Sequence, residues 1–135
     1  MTEARFDVLA IGNAIVDVMA PCEDALLDEH GMTKGGMTLI DEIGAAKLYA
    51  AMGPAREISG GSAANTIAGL AALGAKTAFV GQVAEDQLGE VFGHDIRAAG
   101  VHFTTAARLG EPPTARCSLT ACSTSCSATR TNSGR

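Results

Sequence analysis

The chain has 135 residues, 47% hydrophobic and 19% charged, with 16 glycines and 4 prolines, which describes one ordinary folded domain and excludes disordered and collagen-like classes. A net charge of −5 with no basic cluster argues against a nucleic-acid partner, because phosphate binding wants a basic face. No apolar run approaches the roughly 20 residues that span a bilayer, and the opening residues 1–7 (MTEARFD) lack the apolar core of a signal peptide, so no membrane partner and a cytoplasmic location are expected.

In chain order, residues 6–20 (FDVLAIGNAIVDVMA) form a nearly continuous apolar run interrupted by Gly12, Asn13 and Asp17. Such a run predicts a buried strand of a mostly parallel sheet, and its polar residues must be hydrogen-bonded or face a site. Residues 22–30 (CEDALLDEH) predict a short helix stopped by Gly31, Gly35-Gly36 a turn, and 37–40 (MTLI) a short strand. Asp41 can cap a helix running to about Met52, with Gly53-Pro54 as its end. Residues 56–59 then predict a strand, Gly60-Gly61 a tight turn, and Ser62 the N-cap of a helix over 63–73 that stops at Gly74. Residues 76–83 predict a strand, 85–99 a helix with Leu88, Val91, Phe92 and Ile96 at amphipathic spacing, and 101–105 a further strand after Gly100. Strand and helix alternating in this way is the pattern of an α/β sheet with crossover helices.

From Ser118 the character changes. The last 18 residues contain nine Ser or Thr, two Cys, two Arg and no acid, a composition that predicts a disordered tail over 118–135. The cysteines at 117, 122 and 126 have C-x4-C-x3-C spacing, without the pairs or histidines that zinc favours. With Cys22 they are expected to be unpaired thiols in a reducing compartment, and no metal site is expected.

Two constellations could carry chemistry. In the first, Gly12 lets a ligand approach the backbone at the end of the opening strand, while Asn13 and Asp17 offer donors and acceptors to hydroxyl groups. The alternative is that both merely satisfy a turn. In the second, Gly60-Gly61-Ser62 precedes a helix whose amino end exposes backbone N–H groups, with the amide of Asn65 in its first turn. Here the alternative is a glycine turn with an ordinary cap. No Gly-Lys-Ser/Thr phosphate loop occurs, and Gly12-Asn13-Ala14 fails the G-x-G-x-x-G spacing of dinucleotide folds.

Residues 60–74 (GGSAANTIAGLAALG) followed by 79–90 (FVGQVAEDQLGE) resemble the first motif of the ribokinase-like, PfkB-type kinases. GNAIVDV at 12–18 is similar to that family's opening substrate strand, and the Asn13-to-Asp17 spacing is closer to adenosine kinases than to ribokinases. PTARC at 113–117 resembles the adenosine kinase stretch that enters a lid strand. The resemblance covers residues 6–117 and implies a doubly wound α/β domain with a small β lid, present here as its N-terminal part, with lid segments near 18–40 and 112–117. It implies that Asp17 binds ribose hydroxyls, assisted by Asn13, Gly60, Gly61, Ser62 and Asn65, with Leu39 and Cys117 in the lid or pocket.

The implied activity is ATP- and magnesium-dependent phosphoryl transfer to a nucleoside or sugar hydroxyl, adenosine to AMP first, in which catalysis is mostly positioning. A ribokinase- or fructokinase-like sugar kinase, or a non-catalytic binding module, are the alternatives. The family's Gly-Ala-Gly-Asp segment, source of the anion hole and catalytic Asp, does not occur here. No catalytic residue is therefore nominated, and neither ATP nor Mg2+ is expected to bind this segment tightly. The switch of character after Cys117 suggests a shifted or truncated reading frame, which the encoding DNA beyond codon 117 would reveal.

Overall fold

The computed structural model describes residues 4–110, 112–122 and 125–131, with side-chain surroundings no further than residue 120. The opening apolar run is two strands, β1 (Val8–Ile11) and β2 (Ile15–Pro21), where the sequence predicts one. They are followed by α1 (Asp24–Glu29), β3 (Met37–Ile40), α2 (Glu42–Ala51), β4 (Arg56–Gly60) and α3 (Ser62–Ala72). The remaining elements are β5 (Thr77–Val80), α4 (Gln87–Ala98), β6 (Ala115–Cys122) and β7 (Ser125–Thr131). Strands β1 and β5 form a parallel pair, and the other five form a mixed sheet in the order β3-β7-β6-β2-β4. The α/β class expected from the sequence holds.

The break after β1 has a steric cause. A Cβ on Gly12 would lie 2.7 Å from the Cβ of Ala63, so the chain passes the first turn of α3 at a distance only glycine permits. The Gly12 N–H donates to the Val80 carbonyl at 3.1 Å, which completes the pairing of β1 with β5. The chain then leaves that pair and enters the five-stranded sheet as β2, whose Ile15, Val16, Val18 and Ala20 are buried while Asp17 and Met19 are half-buried.

Helix ends follow cap chemistry more closely than periodicity. Asp41 caps α2 as the sequence predicts, its Oδ1 accepting from Gly44 N–H at 2.7 Å. The cap of α4 is Asp86, whose Oδ1 accepts from Gly89 N–H at 2.7 Å, so that helix starts two residues later than the apolar spacing indicates. Helix α1 starts at Asp24 and not at residue 22. The N-cap of α3 is Gly61, at φ +98°, which makes Ser62 the first helical residue and not the cap. The strand expected at 101–105 reduces to a parallel bridge, with Phe79 N–H donating to His102 O and His102 N–H to Thr77 O, each at 3.0 Å.

The tail departs from its compositional reading. Residues 118–122 and 125–131 are strand, paired antiparallel from Cys117 opposite Arg130 to Cys122 opposite Ser125, and β7 runs parallel to β3. Ser118 and Thr120 are buried at 2% and 1% exposure and neither lacks a partner. A polar strand is stable in a sheet when its hydroxyls are satisfied, and β-branched threonine favours the extended backbone. Composition registers the polarity and misses the alternation. A second correction concerns thiols: Cys22 is disulfide-bonded, where the sequence predicts an unpaired thiol.

The chain divides into two compact units, the first of residues 1–16 and 58–114, the second of 17–57 and 115–135. The first is built on Phe79, Phe92 and Phe103, whose ring centroids lie 5.5 to 6.1 Å apart, with Ile67, Ile96 and Val101 buried in the same unit. The second has a smaller core of Leu27, Met32 and Leu48, against which Leu26, Ile40 and Met52 pack. There the Tyr49 hydroxyl donates to Glu57 at 2.6 Å and the Arg116 guanidinium lies 5.4 Å from the Tyr49 ring, joining α2 to β4 and β6. The Glu57 hydrogen bond, ahead of burial, raises the Tyr49 pKa.

Two expectations follow. An added Cβ at Gly89 would overlap the Ala84 carbonyl oxygen, whereas nothing lies within 4 Å of one at Gly69 in α3. Gly89→Ala should therefore destabilise by about 1–3 kcal/mol or more, and Gly69→Ala should stabilise by about 0.5–1 kcal/mol, as read by urea denaturation. Among the described residues β1 pairs only with β5, and Leu9 and Ile11 are 57% and 76% exposed. An apolar unpaired edge promotes self-association. Light scattering should rise with protein concentration, and Ile11→Lys should suppress that rise.

Candidate substrate-binding site

Two of the sequence motifs meet inside the first unit. Gly12 lies against Ala63, and a Cβ on Gly61 would stand 3.0 Å from the Asn13 carbonyl oxygen and 3.7 Å from the Ile15 side chain. Gly61 is required twice over, since its φ of +98° is also costly for a residue with a side chain. Asn13 and the Gly60-Gly61-Ser62 turn are thus brought together by backbone packing.

Helix α3 opens at this point without a capping side chain and without an acid in its first turn. Its first internal bond is Asn65 N–H to Gly61 O at 2.8 Å, which leaves the amides preceding Asn65 without an intrahelical acceptor. The side chains of Asn13, Ser62 and Asn65 are exposed here, and Gly60 is buried. Uncommitted N–H groups at the positive end of a helix dipole, beside two amide side chains, suit a ligand rich in hydroxyls or carrying an anion.

Asp17 belongs to the second unit, in the middle of β2 between buried Val16 and Val18. Burial pushes its carboxyl above the ordinary value of 3.8. Among the described residues no side-chain hydrogen bond or ion pair engages it. A half-buried carboxylate that the fold leaves uncompensated is a strong acceptor for ligand hydroxyls. Leu39 and Cys117, the two further residues expected in a lid or pocket, both stand opposite Arg130 in strand register, Leu39 from β3 and Cys117 from β6. They therefore lie in one row across the sheet of the second unit, with Leu39 70% exposed. Among the described residues no group of three or more His, Cys, Asp or Glu could hold a metal ion, so no magnesium site is assigned to these residues.

Sequence reasoning missed a set of carboxylate contacts behind this site. Asp86 accepts from Thr114 N–H at 2.8 Å and from the Thr114 hydroxyl at 2.7 Å, and that hydroxyl in turn accepts from Ala84 N–H at 2.9 Å. Asp95 accepts from Ser59 N–H at 2.9 Å. The Asp86-x-x-Gly89 spacing could have signalled the cap, but no local pattern marks partners 28 or 36 residues apart.

Comparison with known proteins adds an independent line. The sequence pattern of the pfkB family carbohydrate kinases matches residues 42–128, starting later than the resemblance read over 6–117 and continuing past Cys117 through β6 into β7. The structure matches adenosine kinase from Sinorhizobium meliloti at TM-score 0.78 and 54% identity, covering 93% of this chain and 39% of that one. It matches a probable sugar kinase from Rhizobium etli at TM-score 0.79 and 50% identity, again covering 93% of this chain and 39% of that one. Adenosine kinase from Anopheles gambiae, at 21% identity and TM-score 0.77 over 91% of this chain and 38% of that one, shares the fold. A comparison with curated proteins finds no match. The chain thus spans about two fifths of the length of these solved kinases. With a family match over well more than half of its residues, the chain belongs to the pfkB family of carbohydrate kinases.

Proposed function

We propose that this chain supplies the substrate-binding part of an ATP-dependent phosphotransferase acting on the hydroxyl of a nucleoside, with adenosine as the preferred substrate. The observation that carries the reading is the close approach of Gly61 to the Asn13 carbonyl, which unites two separate polar motifs at an uncapped, acid-free helix end. The 54% identity to an adenosine kinase favours adenosine over other acceptors. The 50% identity to a probable sugar kinase keeps a sugar substrate as the second reading.

In this assignment Asp17 accepts from the ribose hydroxyls, with Asn13 and Asn65 as assisting substrate-binding residues. Gly60, Gly61 and Ser62 provide backbone where a side chain would obstruct the ligand. The segments near 18–40 and 112–117 are assigned as lid strands, with Leu39 and Cys117 in the lid or pocket. ATP would supply the phosphoryl group in the complete enzyme. No residue described in this chain is assigned to hold ATP or Mg2+, and no step is routed through either. The sequence contains no Gly-Ala-Gly-Asp segment, so turnover by this chain alone is not expected.

Calorimetric titration with adenosine, ribose and fructose, alongside an ATP-turnover assay, tests the proposal. Adenosine should bind more tightly than either sugar, and Asp17→Asn should weaken it about ten- to a hundredfold, the value of hydrogen bonds to a charged acceptor. Binding of a free sugar with no response to adenosine would select the sugar-kinase reading. Turnover of ATP by the isolated chain would overturn the view that it is not catalytically competent alone.

The same substitution makes a stability prediction of opposite sign. Because burial raises the folded-state pKa of Asp17, its favourable contribution exists below the ordinary carboxyl value of 3.8 and is lost as pH rises through the folded value. At neutral pH the ionised, half-buried carboxylate costs stability. Asp17→Asn should therefore melt a few degrees above the parent at pH ~7, with the difference shrinking as the parent becomes protonated in acid. A melting temperature lowered equally at every pH would contradict this account of Asp17.

A further inference from the structure

We propose that helix α4 is a two-point clamp on the chain segment that carries the candidate substrate loop, with Asp95 and Asp86 as its positioning residues. Only the ligand-affinity part of this inference rests on the nucleoside reading.

Helix α4 is itself firmly seated. Leu88, Phe92 and Ile96 are buried along one side, and the Phe92 ring contacts both Phe79 and Phe103. From this fixed helix two carboxylates reach backbone groups far away in sequence. The chain enters the first unit at Ile58 and leaves it after Thr114. Asp95 accepts from Ser59 N–H, one residue inside the entry, and Asp86 accepts from both polar groups of Thr114 at the exit. One helix thereby holds both ends of the segment.

The entry end needs such a tether. Ser59 and Gly60 are the last two residues of β4, and Gly61 follows at φ +98°; neither glycine has a side chain to fix the turn, and glycine is the residue with most backbone freedom. Fixing Ser59 from outside defines where Gly61 and the start of α3 stand. Among the described residues the second oxygen of Asp95 meets the ring of His94, which is 81% exposed, at 3.2 Å. The carboxylate therefore has one buried-side duty, the Ser59 amide. Hydrogen bonds to an ionised acceptor are about twice as strong as neutral ones, which suits a positional restraint. Asp86 combines the clamp with capping of α4: Oδ1 accepts from both Gly89 N–H and the Thr114 hydroxyl, and Oδ2 accepts from Thr114 N–H, so a serine keeps a cap oxygen but has no second oxygen for the Thr114 amide.

The test uses the whole chain, with amide hydrogen exchange followed by NMR at Ser59, Thr114, Phe79 and Phe92. In Asp95→Ala, exchange at Ser59 should accelerate about tenfold or more, with Phe79 and Phe92 unchanged, and Asp95→Asn should recover most of the protection through its amide oxygen. Asp86→Ser should produce the same local loss at Thr114 with α4 still capped. Adenosine affinity should fall about tenfold in Asp95→Ala and return in Asp95→Asn. An equal acceleration at Phe79 and Phe92 would reduce both acids to general stabilisers and overturn the clamp, as would unchanged exchange at Ser59. Unchanged adenosine affinity in Asp95→Ala, with a parent that binds, would also overturn it. If the parent does not bind adenosine, the nucleoside reading fails and exchange alone decides the clamp. If Asp95→Ala does not fold, Asp95→Asn is read alone: a smaller acceleration confined to Ser59 supports the clamp, and a uniform or absent one refutes it.

Discussion

The close passage of the backbone at Gly12-Asn13 against the start of α3 is the constraint on which the rest of the structure depends. A methyl group at Gly12 would collide with Ala63, and one at Gly61 would press on the Asn13 carbonyl. The close approach at these two glycines goes with the end of β1's pairing with β5 and the start of β2 in another sheet a few residues later. It also places the unsatisfied amides of a helix end beside Asn13. Topology and candidate site thus share one feature, the absence of two side chains.

Much of this was legible in the sequence, and the failures have identifiable physics. The Gly-Gly pair, Asn65 and the stop at Gly74 pointed to a turn-helix unit, and a helix stands at 62–72. The capping role passed from Ser62 to Gly61 because a positive φ can end a strand and open a helix with no side-chain hydrogen bond. Apolar patterning predicts one strand over the opening run because it carries no signal for a change of sheet, and it predicts burial for β1, whose Leu9 and Ile11 are exposed. The third strand of the first unit, expected at 101–105, survives only around His102. The fold-supporting roles of Asp86 and Asp95 were invisible because their partners are remote in sequence. Ser118 and Thr120 show how a tract that looks too polar to fold can supply a buried strand once its hydroxyls have partners.

The two units rely on different chemistry. The first gathers three of the chain's four phenylalanines into one aromatic core, a large apolar burial per residue. The second has only a small aliphatic cluster, supplemented by the Tyr49–Glu57 hydrogen bond, the Arg116–Tyr49 contact and the disulfide at Cys22. Directional polar contacts define register where apolar volume is scarce, and they yield more readily than an aromatic core to a change in pH or redox state.

The division of the second unit into residues 17–57 and 115–135 also dictates an order of assembly during synthesis. Strands β2, β3 and β4 leave the ribosome before any of β6 or β7, and the whole central segment of the first unit is made between them. In the sheet order β3-β7-β6-β2-β4, β3 then has no neighbour and β2 has only β4. Chains fold from the N-terminus as they emerge, and long-range strand pairing is slow. The early strands must therefore wait, with apolar edges uncovered, until β6 and β7 are translated. The β6–β7 pair closes the sheet, so holding chaperones or a pause in translation would act on this sheet chiefly during that interval.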